Sequence, residues 1–259
     1  MRFPFFFLLA LSTSVCFAQS PASAPAQQTA ASRDATAVNI ANQAISAMGG
    51  TAAIGQINDC LAQGNVQRPL DSIAPSASFT WKNSGAEFRY EQDGRPTIMT
   101  GHGKPAKLNG GKTTRLLANA TISDFPAHLA ASQLLKRLND SRYGFAALDD
   151  SQAAGRPAAR IKIWFNGTNL IQTLTTQVWF IDKASALPLR VEYVVPDLHN
   201  ASLQGHFAVD LSDWRTISGV LVPYRITTYL DQLKVYEANI STLSFNSGIL
   251  AADFDGGVQ

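Results

Sequence analysis

Apolar and polar residues alternate along much of this chain, and a period of two puts every second side chain on one face of a strand. In the run LPLRVEYVV, Leu189, Val191, Tyr193 and Val195 share one face, with Arg190 and Glu192 on the other. In GHFAVDL, Phe207, Val209 and Leu211 point one way, His206 and Asp210 the other. In ARIKIWF, Ile161, Ile163 and Phe165 alternate with Arg160, Lys162 and Trp164, while QVWFID is apolar on both faces and reads as a more central strand. Further strands are expected near 57–66, 76–82, 86–92, 95–101, 143–149, 221–229 and 233–244. Turn residues separate them: Asn83-Ser84-Gly85, Asp93-Gly94, Asn109-Gly110-Gly111, Asn166-Gly167 and Ser218-Gly219. One-sided alternation of this kind belongs to antiparallel sheets with one buried face.

Two segments read as helices. In the first, Asp34 is placed to cap, and Val38, Ala41, Ile45 and Met48 fall at helical spacing before Gly49 and Gly50 stop it. Thr51 then caps a short turn through Gly55. The second, about 126–139, interrupts the strands. Asp124 is its expected cap, and Pro126 sits in its first turn. Ala131, Leu134, Leu135 and Leu138 make an apolar stripe opposite His128, Gln133, Lys136 and Arg137. Such a helix either packs on the sheet or acts as a movable cover over an apolar pocket.

The start of the chain reads as a targeting signal. Arg2 gives a short positive region, Phe3 to Leu11 is apolar, and Cys16 and Ala18 are small residues ahead of a cleavage site before Gln19. The apolar run is too short to span a bilayer, which takes roughly 20 residues. Thr13 and Val15 stand where a lipidated cysteine at position 16 would want a Leu-like residue and a small one. The expected organisation is therefore a signal peptide over 1–18, an Ala/Pro/Gln/Ser-rich flexible leader over 19–32, and one domain over 33–259, exported to the periplasm. Cleavage leaves Cys60 as the single cysteine, so no internal disulfide can form. The formal charge of +2, from 21 basic and 19 acidic residues, carries no electrostatic footprint for nucleic acid.

Patterns that would signal chemistry fail on inspection. Gly110–Thr114 lacks the upstream glycine of a phosphate loop, since that position is Ala106, and it lies between strands. Asp253 and Asp255 lie too near the end of the sequence for a calcium loop to continue. The histidines 102, 128, 199 and 206 have no metal-ligand spacing, and there is no G-x-S-x-G elbow. The reading is therefore no catalytic residue, no metal and no cofactor.

Four stretches in this order resemble the LolA-like superfamily, exported bacterial proteins related to the outer-membrane lipoprotein carrier. They are AVNIANQAISAMGGTAAIGQI, the strand EFRYE at Glu87–Glu91, VWFIDKASALPLRVEY, and DLSDWRTISGVLVPYRITTY followed by ANISTLSFNSGILAADF. The resemblance implies an incomplete antiparallel β-barrel, mainly β with a few helices covering an apolar cavity. It implies a non-catalytic periplasmic carrier that takes the acyl chains of a lipid or lipoprotein, with a membrane-bound donor or acceptor protein as a further partner. The alternatives are a LolA-like domain for envelope-stress sensing or protein contact, or an unrecognised exported enzyme. Candidate cavity or lid residues are Leu134, Leu135, Leu138, Trp81, Phe88, Tyr90, Tyr193, Phe207 and Val209. Arg89 stands in the strand where the carrier uses an Arg to hold its cavity shut, but its neighbours depart from the carrier's pattern, so that role is not assigned to it.

Overall fold

The computed structural model describes residues 31–73, 75–85, 87–93, 95–101, 104–109, 112–115, 127–196 and 204–254. The signal peptide, all but the last two leader residues, Asp124 and Pro126 lie outside the described residues.

Helix α1 (Ala35–Ala47) begins where the sequence puts it, with the Asp34 carboxylate accepting from the Thr36 amide at 2.8 Å. Its buried face is Ala37, Ala41, Ala44 and Ile45, with Met48 just beyond. Gly49 turns the chain at φ 124°, and the expected turn at 51–55 is a short helix, α2 (Gly50–Gly55). Strands β1 (Asp59–Gln67), β2 (Ser76–Ser84), β3 (Glu87–Gln92), β4 (Arg95–Gly101), β5 (Lys104–Asn109) and β6 (Lys112–Arg115) follow. A 3-10 turn over Ala127–Leu129 then leads into helix α3 (Ala130–Asn139). After it come β7 (Tyr143–Ala153), β8 (Arg156–Phe165), helix α4 (Asn169–Thr175), β9 (Gln177–Asp182) and β10 (Pro188–Pro196). The last strands are β11 (Gln204–Ile217), β12 (Val220–Leu230) and β13 (Leu233–Phe245), with a final 3-10 turn over Ala251–Phe254.

Among the described residues thirteen strands form one sheet, in the order β6-β5-β4-β3-β2-β1-β13-β12-β11-β10-β9-β8-β7. Every strand pair in it is antiparallel. The edges β6 and β7 do not pair with each other, so the barrel is incomplete, as the sequence reading expects. At the β7 edge the chain covers part of the exposed ladder with its own start. Arg33 forms a parallel bridge to Phe145, the Phe145 amide donates to the Ser32 carbonyl at 2.9 Å, and the Ala31 amide donates to Ser141. Residues 31 and 32, read from sequence as leader, are thus tied to the sheet.

Helices α1, α2 and α3 lie on one face of the sheet. Residues of α1, α2 and α3 share a single buried cluster with Phe145, Ile161, Trp179, Val191, Val209, Ile226, Ile240, Ala62 and Trp81. We call this the inner face. A second, small cluster of Ala153, Ala158, Phe180 and Leu189 is separate from it. Leu189 therefore does not share a face with Val191, contrary to the alternation read in LPLRVEYVV. The register between β9 and β10 shifts between Pro188 and Arg190, and an inserted residue turns the side chains on either side of it out of phase.

The strands β5 and β6 and the helix α4 have no counterpart in the sequence reading. KPAKLN carries a proline and two lysines and KTTR no apolar residue, so neither shows a buried face. They are strands because each pairs with the exposed edge of the strand before it. Lys112, Thr113 and Thr114 of the phosphate-loop look-alike lie in β6, which agrees with its rejection.

The chain packs closely where β1, β2 and β13 meet. A Cβ added to Gly64 would lie 2.1 Å from the Asn239 carbonyl oxygen and 2.9 Å from the Phe79 ring, whereas one added to Gly55 meets nothing within 4 Å. Gly64→Ala is expected to lower stability by about 1–3 kcal/mol, the usual range for overpacking, and Gly55→Ala to leave it almost unchanged. Urea unfolding of both variants checks this; equal midpoints would show that the strands part freely at Gly64.

Candidate functional site

Strand register decides which candidate side chains meet. Trp81 pairs with Tyr90 across β2 and β3, and Phe88 is two residues along on the same face. Val191 pairs with Val209, and Tyr193 with Phe207, across β10 and β11. Trp81, Tyr90, Val209, Leu134 and Leu135 belong to the buried inner cluster, and Phe88, Tyr193 and Leu138 pack against it. Phe207 joins through its partner: its ring stacks on Tyr193 at 5.6 Å with the planes 5° apart. Eight of the nine candidates thus belong to, or pack against, one apolar layer between helix and sheet, and Phe207 is linked to that layer by its stack on Tyr193. Leu134 and Leu135 are buried within it, and Leu138 is half-buried near the end of α3.

Two of the nine are reached from outside. Tyr193 and Phe207 help line a cleft of about 760 Å³. Val178, Glu192, Val194 and Ala208, from the alternate positions of the same strands, also line it, so it draws on both faces at the ends of β9 to β12. Its size suits a small-molecule site with an apolar lining and a few polar groups. Among those polar groups is Arg190, held bidentate by Asp210 at 2.6 and 3.0 Å. Hydrogen bonding to Asp210 raises its guanidinium above the ordinary value, so it stays charged at any physiological pH.

The polar island inside the inner layer is not legible in the sequence. His128, placed by helical spacing on the solvated face of the second helix, is buried. The α-helix starts only at Ala130, with Leu129 at its N-cap, and the preceding 3-10 turn changes the angular phase. The His128 ring stacks on Trp81 at 4.5 Å, and Nε2 lies 2.8 Å from Oδ1 of Asn83, itself buried. Burial pushes the imidazole down to about 3, so it is neutral and donates to Asn83. This pair pins the covering turn to β2 without introducing a charge. The only hint in the sequence is the company of Asn83 and Trp81 at alternate positions of one strand.

Arg89 points the other way. It alternates with Phe88 and Tyr90, donates to the Asp253 carbonyl at 2.8 Å and ion-pairs with Glu91. The Asp253 carboxylate takes Lys82 at 2.8 Å, so Asp253 fastens the last turn to β2 and β3. Cys60 is fully buried, and burial raises its thiol to about 12, which makes it an inert core residue. Among the described residues no group of three His, Cys, Asp or Glu could hold a metal ion, and no helix is long and apolar enough to cross a membrane.

Neither a family sequence model nor a curated protein sequence matches the chain. Solved structures do. A domain from Vibrio parahaemolyticus described as an outer-membrane lipoprotein-sorting protein is 16% identical, with a TM-score of 0.57 over 86% of this chain and 97% of that one. A DUF1329 family protein from Desulfovibrio piger gives 13% and 0.55, over 86% and 99%. A LolA superfamily protein from Nitrosomonas europaea gives 12% and 0.53, over 84% and 96%. The class defined by this architecture is the open antiparallel half-barrel with helices across one face. Within that class, the chain has the LolA-like fold.

The buried His128 gives the site a pH signature. Its folded value, about 3, lies below the roughly 6.5 of an unfolded histidine, so the unfolded chain takes up the proton first. Stability is therefore full above about pH 6.5 and falls as pH drops, by up to about 1.4 kcal/mol per unit. Carboxylates such as Asp140, held at about 2 by hydrogen bonding to Arg142, add to the loss only nearer pH 4. Urea unfolding between pH 7 and pH 4.5 should show the slope in the native protein and a reduced slope in His128→Gln. Identical slopes would place His128 in contact with solvent.

Proposed function

We propose that this protein is an exported, non-catalytic carrier that holds the acyl chains of a lipid or lipoprotein between the sheet and helix α3. The observation that carries this reading is the continuous apolar layer. It runs from Trp81 and Phe88 on β2 and β3 to Tyr193 and Val209 on β10 and β11, the leucines of α3 share it, and Phe207 stacks on Tyr193 beside it. An acyl chain gains about 0.8 kcal/mol for each CH₂ it buries. A site of this kind thus needs area and shape, with no group poised for bond breaking. In the empty protein the layer must be hidden from water, and α3 hides it. The cleft at Tyr193 and Phe207 is the mouth in this reading, and Leu134, Leu135 and Leu138 move aside as a chain enters.

Delipidated protein titrated with a fluorescent fatty acid tests the reading. Wild type should bind the probe, and Phe207→Glu, which sets a charge in the mouth, should weaken binding at least tenfold with little change in melting. Leu135→Asp separates the roles of the helix. A residue that only packs would lose several kcal/mol of stability when an unpaired charge enters the interior. A lid residue would lose less and still abolish binding. A folded Leu135→Asp protein that binds the probe like wild type sinks the lid, and wild type that ignores the probe sinks the carrier.

Export is tested separately. N-terminal sequencing of the exported form should begin at Gln19. A start at Cys16 bearing a diacylglyceryl group would mean an anchored lipoprotein.

A further inference from the structure

In an antiparallel meander, alternate connections fall at the same end of the sheet. The connections β1–β2, β8–β9, β10–β11 and β12–β13 therefore share one rim, and β7–β8, β9–β10 and β11–β12 share the opposite one. Among the described residues, the large apolar side chains that stand in water are Leu70, Ile73, Leu170, Ile171, Leu233 and Leu250. The first five come from the first rim: two from the β1–β2 loop, two from α4 in the β8–β9 connection, and one from the β12–β13 hairpin. Ile73 is 94% exposed, and Leu70, Leu170 and Leu233 are 66%, 67% and 62% exposed. Register brings two of these groups side by side. Gln67 pairs with Glu237, and beyond that pair the β1–β2 loop continues past the strand ends beside the β13 residues that lead back to Leu233. Single exposed leucines are ordinary on protein surfaces; five gathered at one end from three separate connections are not.

We propose that this rim docks the protein on a phospholipid bilayer, the aliphatic side chains entering the hydrocarbon boundary. Three observations select a bilayer over a protein partner. First, the exposed side chains are leucine and isoleucine, with no exposed Trp, Tyr or Phe among them, whereas protein hot spots favour Trp, Tyr and Arg and disfavour leucine. Second, the loops that carry them hold no excess of cations, and the turn before Leu233 carries an acid, Asp231, whose carboxylate accepts from the His206 amide. Arg68 faces Asp71 at 3.8 Å in the first, residues 166–176 hold no charged residue, and Lys234 is paired with Glu237 beside the third. Attachment by insertion therefore needs no anionic lipid. Third, the cleft lined by Tyr193, Phe207, Tyr229 and Gln232 opens at this same end. Docking would set its mouth against the bilayer surface. The acyl-carrier reading is a separate claim, because docking requires only the rim.

The test is cosedimentation of the full mature chain with phosphatidylcholine vesicles. Wild type should partition to the pellet. A variant carrying Leu70→Ser, Ile73→Ser, Leu170→Ser and Leu233→Ser should partition at least tenfold less, with an unchanged melting temperature. Leu250→Ser serves as the control. It lies away from the rim, next to residues whose amides bind Asp59 at the start of β1, and should partition like wild type. Partitioning should persist in about 0.5 M salt, where exposed charges are screened. The proposal is overturned if wild type stays in the supernatant, if the rim variant pellets like wild type, if Leu250→Ser loses as much, or if salt releases the protein. A wild type that pairs with itself through these leucines and ignores vesicles also overturns it. The fatty-acid titration run on the same rim variant keeps the two claims apart. Retained probe binding with lost docking is the expected pattern, and docking without probe binding would contradict the carrier alone.

Discussion

An open sheet cannot bury its own apolar face, and the rest of this structure follows from that constraint. Strands β1 to β3 and β7 to β13 carry apolar side chains toward the same side, and among the described residues β6 and β7 do not pair to close the sheet. Water must be kept off that side by something else. Helices α1, α2 and α3 do so, and without a disulfide the packing between them and the sheet has to hold the molecule together by itself. The tight points serve this packing. Gly64 lets β13 and the Phe79 ring approach, and the Leu221 amide donates to the Met48 carbonyl at 2.9 Å, tying the end of α1 to β12. The neutral His128–Asn83 pair fixes the turn ahead of α3.

The helical cover is fastened unevenly. At its beginning a buried ring stacks on Trp81. At its end Arg33 donates to the Leu138 carbonyl at 2.6 Å and to the Asp140 carbonyl at 3.3 Å, with its guanidinium 4.7 Å from the centre of the Phe145 ring. A cation at the last carbonyls of a helix satisfies groups the helix itself leaves unpaired. The segment between these ends contributes Leu134 and Leu135 to the interior. A layer built by cover and sheet together can admit a guest by moving the cover, whereas a core closed within a complete barrel would have to break strand pairs.

Much of this was legible from periodicity. The strands with one buried face, such as β8 and β11, declare themselves because burial selects every second residue, and α1 because its cap and its glycine stop are local. The remainder depended on contacts that no short window contains. β5 exists because β4 offers it an edge, and β6 because β5 does. Leu189 changed sides because a register shift beside it breaks the alternation. His128 moved from the solvated face to the interior because a 3-10 turn resets the phase of the helix. The candidate cavity residues gather on one face because the pattern that exposes a strand also fixes its inward row. The open cleft at Tyr193 and Phe207, and the five aliphatic side chains at the same rim, needed the topology.

The claim that matters most is that the layer beneath α3 accommodates acyl chains. Native mass spectrometry of the protein isolated without detergent from the cells that make it tests it most directly. The account predicts a population heavier than the polypeptide by the mass of a lipid, which collisional activation releases as an acyl-bearing species. A single population at the bare polypeptide mass, unchanged after incubation with phospholipid or fatty acid, would contradict it.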